Sequence, residues 1–258
     1  MNKNANPGFL KVLNIVSFIA MVAVNALAQL LPLGGQTTAQ ISDKYPSLFT
    51  PAGITFSIWF VIYAGLAWVV AYQTFAKRNN SIRRVDMLFS ISCILNILWI
   101  VFWHYQLIPA SLAVILVLLV VLGIIDRRVQ DEHWSIRAPF SIYFAWIMAA
   151  SIANVFAAFS ARAPLGFNTP LAQVLTVIVI AAAAVVGAGR VIRKSDYPYA
   201  FTIVWTIVGI MIKHMSKTGF AGMYEWVIYA AAIASVALLF VIFTVMDDNR
   251  VPAEQAGQ

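Results

Sequence analysis

Three groups of aromatic and amide side chains recur at spacings that place each group on one face of a helix. They are Trp59 with Tyr63, Asn96 with Trp99 and Trp103, and Trp146 with Ala150 and Asn154. Residues three, four, seven or eight positions apart share a helical face. Flat rings beside buried amides suit a planar, mostly apolar ligand with a few polar atoms, because a buried amide needs a partner. The alternative is that these groups only pack helices together.

The residue types that usually carry catalysis are scattered along the chain. All ten acidic residues fall in loops or at predicted helix ends, and the three histidines are far apart. The chain has no Walker A loop, dinucleotide-binding glycine motif or nucleophile elbow. Its single cysteine, Cys93, lies in an apolar run, which excludes a disulfide framework and a cysteine-based metal site. We therefore predict a protein that is not an enzyme and requires no cofactor or metal.

The elements that position these side chains are predicted to be membrane-spanning helices. Of the 258 residues, 62% are hydrophobic and 10% are charged, against about 45–50% and about 25% in soluble domains. A run of about 20 apolar residues crosses a hydrocarbon core of about 30 Å as a helix. The predicted spans are Phe9–Leu33, Gly53–Ala76, Val85–Tyr105, Leu107–Ile125, Pro139–Phe159, Leu171–Gly189, Pro198–Met215 and Tyr224–Met246. The predicted fold class is an all-α integral membrane protein with eight transmembrane helices.

The basic residues are unevenly divided between the two sides of these spans. Of the 17 lysines and arginines, 13 fall on one side and 4 on the other. The positive-inside rule then places both termini in the cytoplasm, in a bacterial inner (plasma) membrane. The formal charge of +7 is thus explained by topology and a lipid bilayer partner, and we expect no nucleic-acid partner.

The N-terminal segment resembles a cleavable signal peptide in one respect. Lys3 and Lys11 precede an apolar stretch, and Ala26-Leu27-Ala28 forms a small-x-small site. However, the apolar run continues to Leu33, which makes it long enough to span the membrane by itself. We expect this segment to be retained, and its cleavage would leave seven helices.

Three motifs on the predicted second, third and fifth helices resemble those of the TspO/MBR family. These tryptophan-rich sensory proteins are related to the mitochondrial translocator, or peripheral benzodiazepine receptor, protein. The motifs read TPAGITFSIWFVIY at 50–63, LNILWIVFW at 95–103 and WIMAASIAN at 146–154. One of the family's two prolines is absent from the first motif, and small residues replace its Phe and Leu in the third. The preceding loop carries Tyr45-Pro46-Ser47-Leu48, which is similar to the family's W-Y-x-x-L.

The resemblance implies a five-helix bundle over residues 1–160, with a ligand pocket that opens towards the first loop. It also implies a tetrapyrrole such as protoporphyrin as the ligand, and it leaves transport, sensing and porphyrin modification open as roles. Carried over by position, the ligand-binding residues are Tyr45, Pro51, Trp59, Tyr63, Asn96, Trp99, Phe102, Trp146, Ala150 and Asn154.

Residues 161–258 add three helices and a polar tail with no counterpart in the five-helix members of the family. These helices either pack against the bundle or mediate a homodimer. The leading functional prediction is a membrane receptor or carrier for a small planar hydrophobic ligand, most readily a tetrapyrrole. The alternative is a secondary transporter or permease component for another small molecule, which should have discontinuous helices near the midplane.

Overall fold

The computed structural model describes residues 7–30, 33–75, 85–162 and 169–249, and every regular element in these ranges is helical. Short 3₁₀ turns at Leu33–Gly35 and Gly53–Ser57 flank the first loop. The α-helices are α1 (Pro7–Leu30), α2 (Thr38–Lys44), α3 (Ile58–Phe75), α4 (Asp86–His104), α5 (Ile108–Arg128), α6 (Trp134–Arg162), α7 (Pro170–Lys194), α8 (Tyr197–Met215) and α9 (Glu225–Asp248).

Within the described ranges, eight helices are long and apolar enough to cross a membrane, which confirms the predicted fold class. Three helix ends differ by five residues from the predicted spans: α6 begins at Trp134 rather than at Pro139, α7 ends at Lys194 rather than at Gly189, and α3 begins at Ile58, after the 3₁₀ turn at Gly53–Ser57. Pro139 lies in the second turn of α6, past the first four N–H groups, so the helix continues through it at the loss of one backbone hydrogen bond to Ser135 O. Leu31, Pro32 and Ala76, near the ends of two predicted spans, lie outside the described residues.

The short helix α2 was not predicted, although its sequence carries a start signal. Thr37 accepts a hydrogen bond from Gln40 N at 3.3 Å, and Gln40 Oε1 accepts one from Thr37 N at 2.8 Å. This reciprocal pair is a capping box, which satisfies two of the free N–H groups at a helix start. It fixes the start of α2, which contacts α4 and the 3₁₀ turn at Gly53–Ser57.

The described helices form two units, each around its own cluster of buried hydrophobic side chains. The five-helix unit consists of α1, α3, α4, α5 and α6, and the three-helix unit consists of α7, α8 and α9. Helix α6 contributes to both clusters and packs against α8, so it joins the two units. The predicted boundary at residue 160 falls near the end of this helix.

Consecutive spanning helices run in opposite directions, so the bundle has two distinct ends. We call the end that carries α2 the α2 end and the opposite one the Arg190 end. The described basic residues lie mainly at the Arg190 end, where α5 and α7 finish. Six residues from the predicted cytoplasmic majority lie outside the described residues: Lys3, Lys77, Arg78, Arg83, Arg84 and Arg250.

Candidate functional site

A cavity of about 40 Å³ lies at the α2 end, between the five-helix unit, the first loop and α8. About 10–15 Å³ holds one water molecule, so this volume accommodates roughly three. Its walls are mostly aromatic rings and small side chains: Thr38, Ser42, Phe49, Pro51, Phe56, Trp99, Trp103, Trp146, Ala149, Ala150, Ala153, Asn154 and Thr206.

The ten residues predicted to bind ligand divide equally between the cavity wall and its surroundings. Those that line the cavity are Pro51, Trp99, Trp146, Ala150 and Asn154. Those that do not are Tyr45, Trp59, Tyr63, Asn96 and Phe102. Within the second set, Trp59 contacts two residues of the first set, Trp99 and Trp146.

Trp59 forms the centre of an aromatic layer behind the cavity. Its ring centroid lies 6.1 Å from that of Trp99 and 6.3 Å from that of Trp146, the latter in an edge-to-face arrangement. It also stacks on Tyr63 at 5.4 Å and meets Tyr143 edge to face at 6.0 Å. Such pairs are worth about 0.5–1.5 kcal/mol beyond the area that they bury. Trp59 therefore supports the two lining tryptophans from behind.

Asn96 lies in a buried chain of hydrogen bonds that joins three helices. Its Oδ1 accepts a hydrogen bond from Asn25 Nδ2 at 2.8 Å, and its Nδ2 donates to the Tyr143 hydroxyl at 3.0 Å. Asn25 also donates to Met21 O at 2.9 Å. The Asn96 side chain is fully buried, and a buried amide needs hydrogen-bond partners. The chain of hydrogen bonds provides them and links α1, α4 and α6.

Asn154 has its hydrogen bonds within the protein even though its side chain reaches the cavity. Its Oδ1 accepts from Ser111 Oγ at 3.0 Å and from Trp99 Nε1 at 3.4 Å, while its Nδ2 donates to Ala150 O at 2.9 Å. These bonds connect α4, α5 and α6. Asn154 thus holds the Trp99 ring at the cavity wall.

On α4, both Trp99 and Trp103, one helical turn later, reach the cavity, whereas Phe102 is half-buried beside them. Trp103 Nε1 donates to Thr38 O at 3.3 Å, and its ring lies 6.3 Å from that of Tyr45. Burial raises the pKa of the Tyr45 hydroxyl above its ordinary value, and the hydroxyl donates a hydrogen bond to Gln106 Oε1 at 3.4 Å. Because Trp103 follows Trp99 by four residues and so shares its helical face, the sequence was sufficient to predict that both reach the same site.

Two buried polar atoms next to the cavity make no hydrogen bond with the described residues: Trp146 Nε1 and Thr55 Oγ1. Trp146 is 3% exposed and lines the cavity, and Thr55 is 1% exposed and lies just before α3. A buried donor without an acceptor loses about 1–3 kcal/mol relative to a paired one. The Trp146 indole N–H is therefore a donor that an incoming acceptor can satisfy.

A second polar cluster, which was not predicted from the sequence, lies at the Arg190 end. The Arg190 guanidinium binds both carboxylate oxygens of Asp126, at 2.7 and 3.0 Å, and its Nε donates to Asp196 at 2.8 Å. The ring of Tyr199 lies 4.3 Å from the guanidinium carbon, and Ser141 donates to Asp196. An arginine directly between Gly189 and Val191 in an apolar run was the available signal, because buried charges in such segments require partners.

The described residues contain no group of three histidine, cysteine or acidic side chains that could hold a metal ion. A family model described as TSPO-like protein matches residues 11–244, from α1 into α9. The matched range therefore includes the last three helices as well as the five-helix unit. No curated protein sequence and no solved structure matches the chain.

Proposed function

Since this chain belongs to the TSPO-like protein family, we propose that it is a membrane receptor or carrier that binds a planar, largely apolar ligand in the cavity at the α2 end. A tetrapyrrole such as protoporphyrin is the first candidate. The observation that carries this proposal is that Trp99, Trp103 and Trp146 line one cavity. Flat rings offer stacking surfaces to a planar molecule.

The polar groups of the cavity favour a ligand that accepts hydrogen bonds. Asn154 Oδ1 already accepts two hydrogen bonds, whereas Trp146 Nε1 has no acceptor among the described residues. A carboxylate or carbonyl oxygen of the ligand would pair with this donor. Most of the remaining wall is apolar, as in binding sites where a few polar groups orient the ligand.

Ligand binding requires the cavity to open wider than its present volume of about 40 Å³. Pockets for drug-sized ligands have volumes of about 300–1,000 Å³. Thr38, Ser42, Phe49 and Pro51 of the first loop form one wall. We therefore assign entry of the ligand to movement of this loop away from α4 and α6.

The direct test is titration of purified protein in lipid nanodiscs with protoporphyrin IX, followed by tryptophan quenching. Trp146→Ala removes a stacking wall and the unpaired donor, so affinity should fall at least about threefold, since tenfold corresponds to 1.4 kcal/mol. Trp68→Ala is the matched control because Trp68 is 54% exposed on the outer face of α3. If both variants fold and bind as the parent does, the cavity is not the porphyrin site.

A flux assay separates a receptor or carrier from a secondary transporter of polar solutes. The spanning α-helices α3 to α9 are continuous over their described lengths, and no observation in them favours the broken helices expected of many transporters. Proteoliposomes should therefore show no uptake of polar solutes. Such uptake, without porphyrin binding, would favour the transporter.

We also propose that the α2 end faces outward, with both termini in the cytoplasm. The imbalance of basic residues supports this orientation. With Cys93→Ala as background, Lys44→Cys should react with a membrane-impermeant maleimide on intact cells, whereas Arg193→Cys should not. Both positions are exposed in the protein. The opposite labelling pattern would reverse the orientation.

A further inference from the structure

One face of α8 contacts the segment that covers the cavity, residues 38–55, which we call the cover segment. The contacts are Trp205 Nε1 to Thr55 O at 2.9 Å, Ala52 N to Gly209 O at 2.9 Å, Lys213 Nζ to Asp43 Oδ1 at 2.8 Å and His214 Nε2 to Leu48 O at 2.8 Å. The first three α8 residues are four positions apart and therefore share one helical face. About half of the length of α8, from Trp205 to His214, therefore packs against the cover segment.

At Gly209, α8 and the cover segment lie so close together that a residue with a Cβ atom would clash. A Cβ placed on Gly209 would lie 2.7 Å from Thr55 Cγ2 and 2.9 Å from Thr55 Cβ, and closer still to Thr55 Oγ1. Real Cβ atoms essentially never come within 3.0 Å of another heavy atom. The absence of a side chain at this position is therefore a condition for the contact between the backbones of Gly209 and Ala52.

The two halves of the cover segment are attached mainly to different units of the protein; the exceptions are the Lys213–Asp43 pair and the stacking of Phe49 on Phe156 of α6. The first half is tied to the five-helix unit: Gln29 Nε2 donates to Thr38 Oγ1 at 3.0 Å, and Trp103 binds Thr38 O. In the second half, Leu48 and Phe49 are at most 2% exposed and belong to the hydrophobic cluster of the three-helix unit. Separation of α8 from the second half would therefore open one edge of the cavity.

We propose that α8 is the anchor of the cover segment, with Gly209 and Trp205 as positioning residues that hold the cavity closed. The three-helix unit then controls how often the cavity opens, and Thr206 of the same helix completes its wall. This inference rests on the proposed function only for the identity of the ligand. The closure itself can be measured without a ligand.

The test uses a cysteine inside the cavity as a reporter of opening. Ser42 is 8% exposed and lines the cavity, so Ser42→Cys in a Cys93→Ala background should react slowly with a water-soluble maleimide. Adding Gly209→Ala should raise the labelling rate about fivefold or more, because the new Cβ overpacks the contact with Thr55. Gly189→Ala is the matched control, since a Cβ there meets no atom within 4 Å.

A double-mutant cycle assigns the effect to the Gly209–Thr55 contact. Thr55→Gly removes the three atoms nearest to the new Cβ, so adding Gly209→Ala to it should leave the labelling rate unchanged. Trp205→Phe keeps a ring but deletes the hydrogen bond to Thr55 O. Its labelling rate should rise between about twofold and about tenfold, which also provides a test if Gly209→Ala fails to fold.

The outcomes separate this inference from the proposed function. Unchanged labelling in folded Gly209→Ala and Trp205→Phe protein would overturn the anchor, whatever binds. Faster labelling in both variants supports it even if protoporphyrin IX does not bind, in which case only the proposed ligand fails. If protoporphyrin IX does bind, its dissociation should accelerate in the same order as the labelling.

Discussion

Among the described residues, α7 and α8 make two polar junctions with other parts of the protein, and the two junctions use opposite chemistry. At the Arg190 end, one guanidinium binds two carboxylates whose side chains are each 3% exposed. At the α2 end, apart from the partly exposed Lys213–Asp43 pair, neutral donors and carbonyl groups meet beside a cavity. Charges in a low-dielectric environment are costly to separate, whereas neutral hydrogen bonds contribute about 0.5–1.5 kcal/mol each. We infer that the first junction is a fixed joint and the second can open.

The largest expected effect comes from breaking the fixed joint with Arg190→Met. This change leaves Asp126 and Asp196 buried without their cation, and removal of one partner of a buried ion pair costs about 3–5 kcal/mol. We expect a loss of that order in the free energy of unfolding, measured by denaturant titration in detergent micelles.

Arg193→Met is the control for this prediction, because Arg193 is exposed on the same helix. Adding Asp126→Asn and Asp196→Asn to Arg190→Met should recover part of the loss, since a network without charge needs no cation. Equal stability of Arg190→Met and the parent would mean that the joint does not depend on charge pairing.

A smaller effect is expected from Asn96→Leu, which interrupts the uncharged hydrogen-bond chain of Asn25, Asn96 and Tyr143 behind the cavity. The change deletes the hydrogen bonds to Asn25 and Tyr143, and polar contacts between membrane helices are worth about 0.6–1.7 kcal/mol each. For the two bonds together, the free energy of unfolding should fall by about 1–3 kcal/mol. Affinity for protoporphyrin IX should hold in the folded fraction, because Asn96 does not line the cavity. A loss of affinity without a loss of stability would instead place Asn96 in the binding site.

The smallest effect is expected at the exposed edge of the second junction. Lys213→Ala removes a salt bridge to Asp43, whose side chain is 53% exposed, and such pairs are worth at most about 1 kcal/mol. The labelling rate of Ser42→Cys should stay close to that of the parent. A rise as large as that caused by Gly209→Ala would show that charge, rather than close backbone packing, holds the cover segment.

The sequence by itself determined the number of membrane spans and their order, because an apolar run of sufficient length is a local property of the chain. The sequence also predicted that Trp99, Trp146 and Asn154 each share a helical face with other aromatic or amide residues, because residues spaced by helical turns share a face whatever the rest of the fold does. All three line the cavity. The helix α2 was readable in principle, because its capping box involves only Thr37 and Gln40.

Only the tertiary structure decided which of these side chains reach the cavity and which support it. Trp59 and Asn96 carry the same motif signal as Trp99, yet they lie behind the wall because of how α1, α3 and α6 pack. The contact between Thr55 and Gly209 joins residues that are far apart in the chain, as does the pair of Asp126 and Arg190. No periodicity encodes such contacts, because they depend on the packing of helices that are not consecutive in the chain.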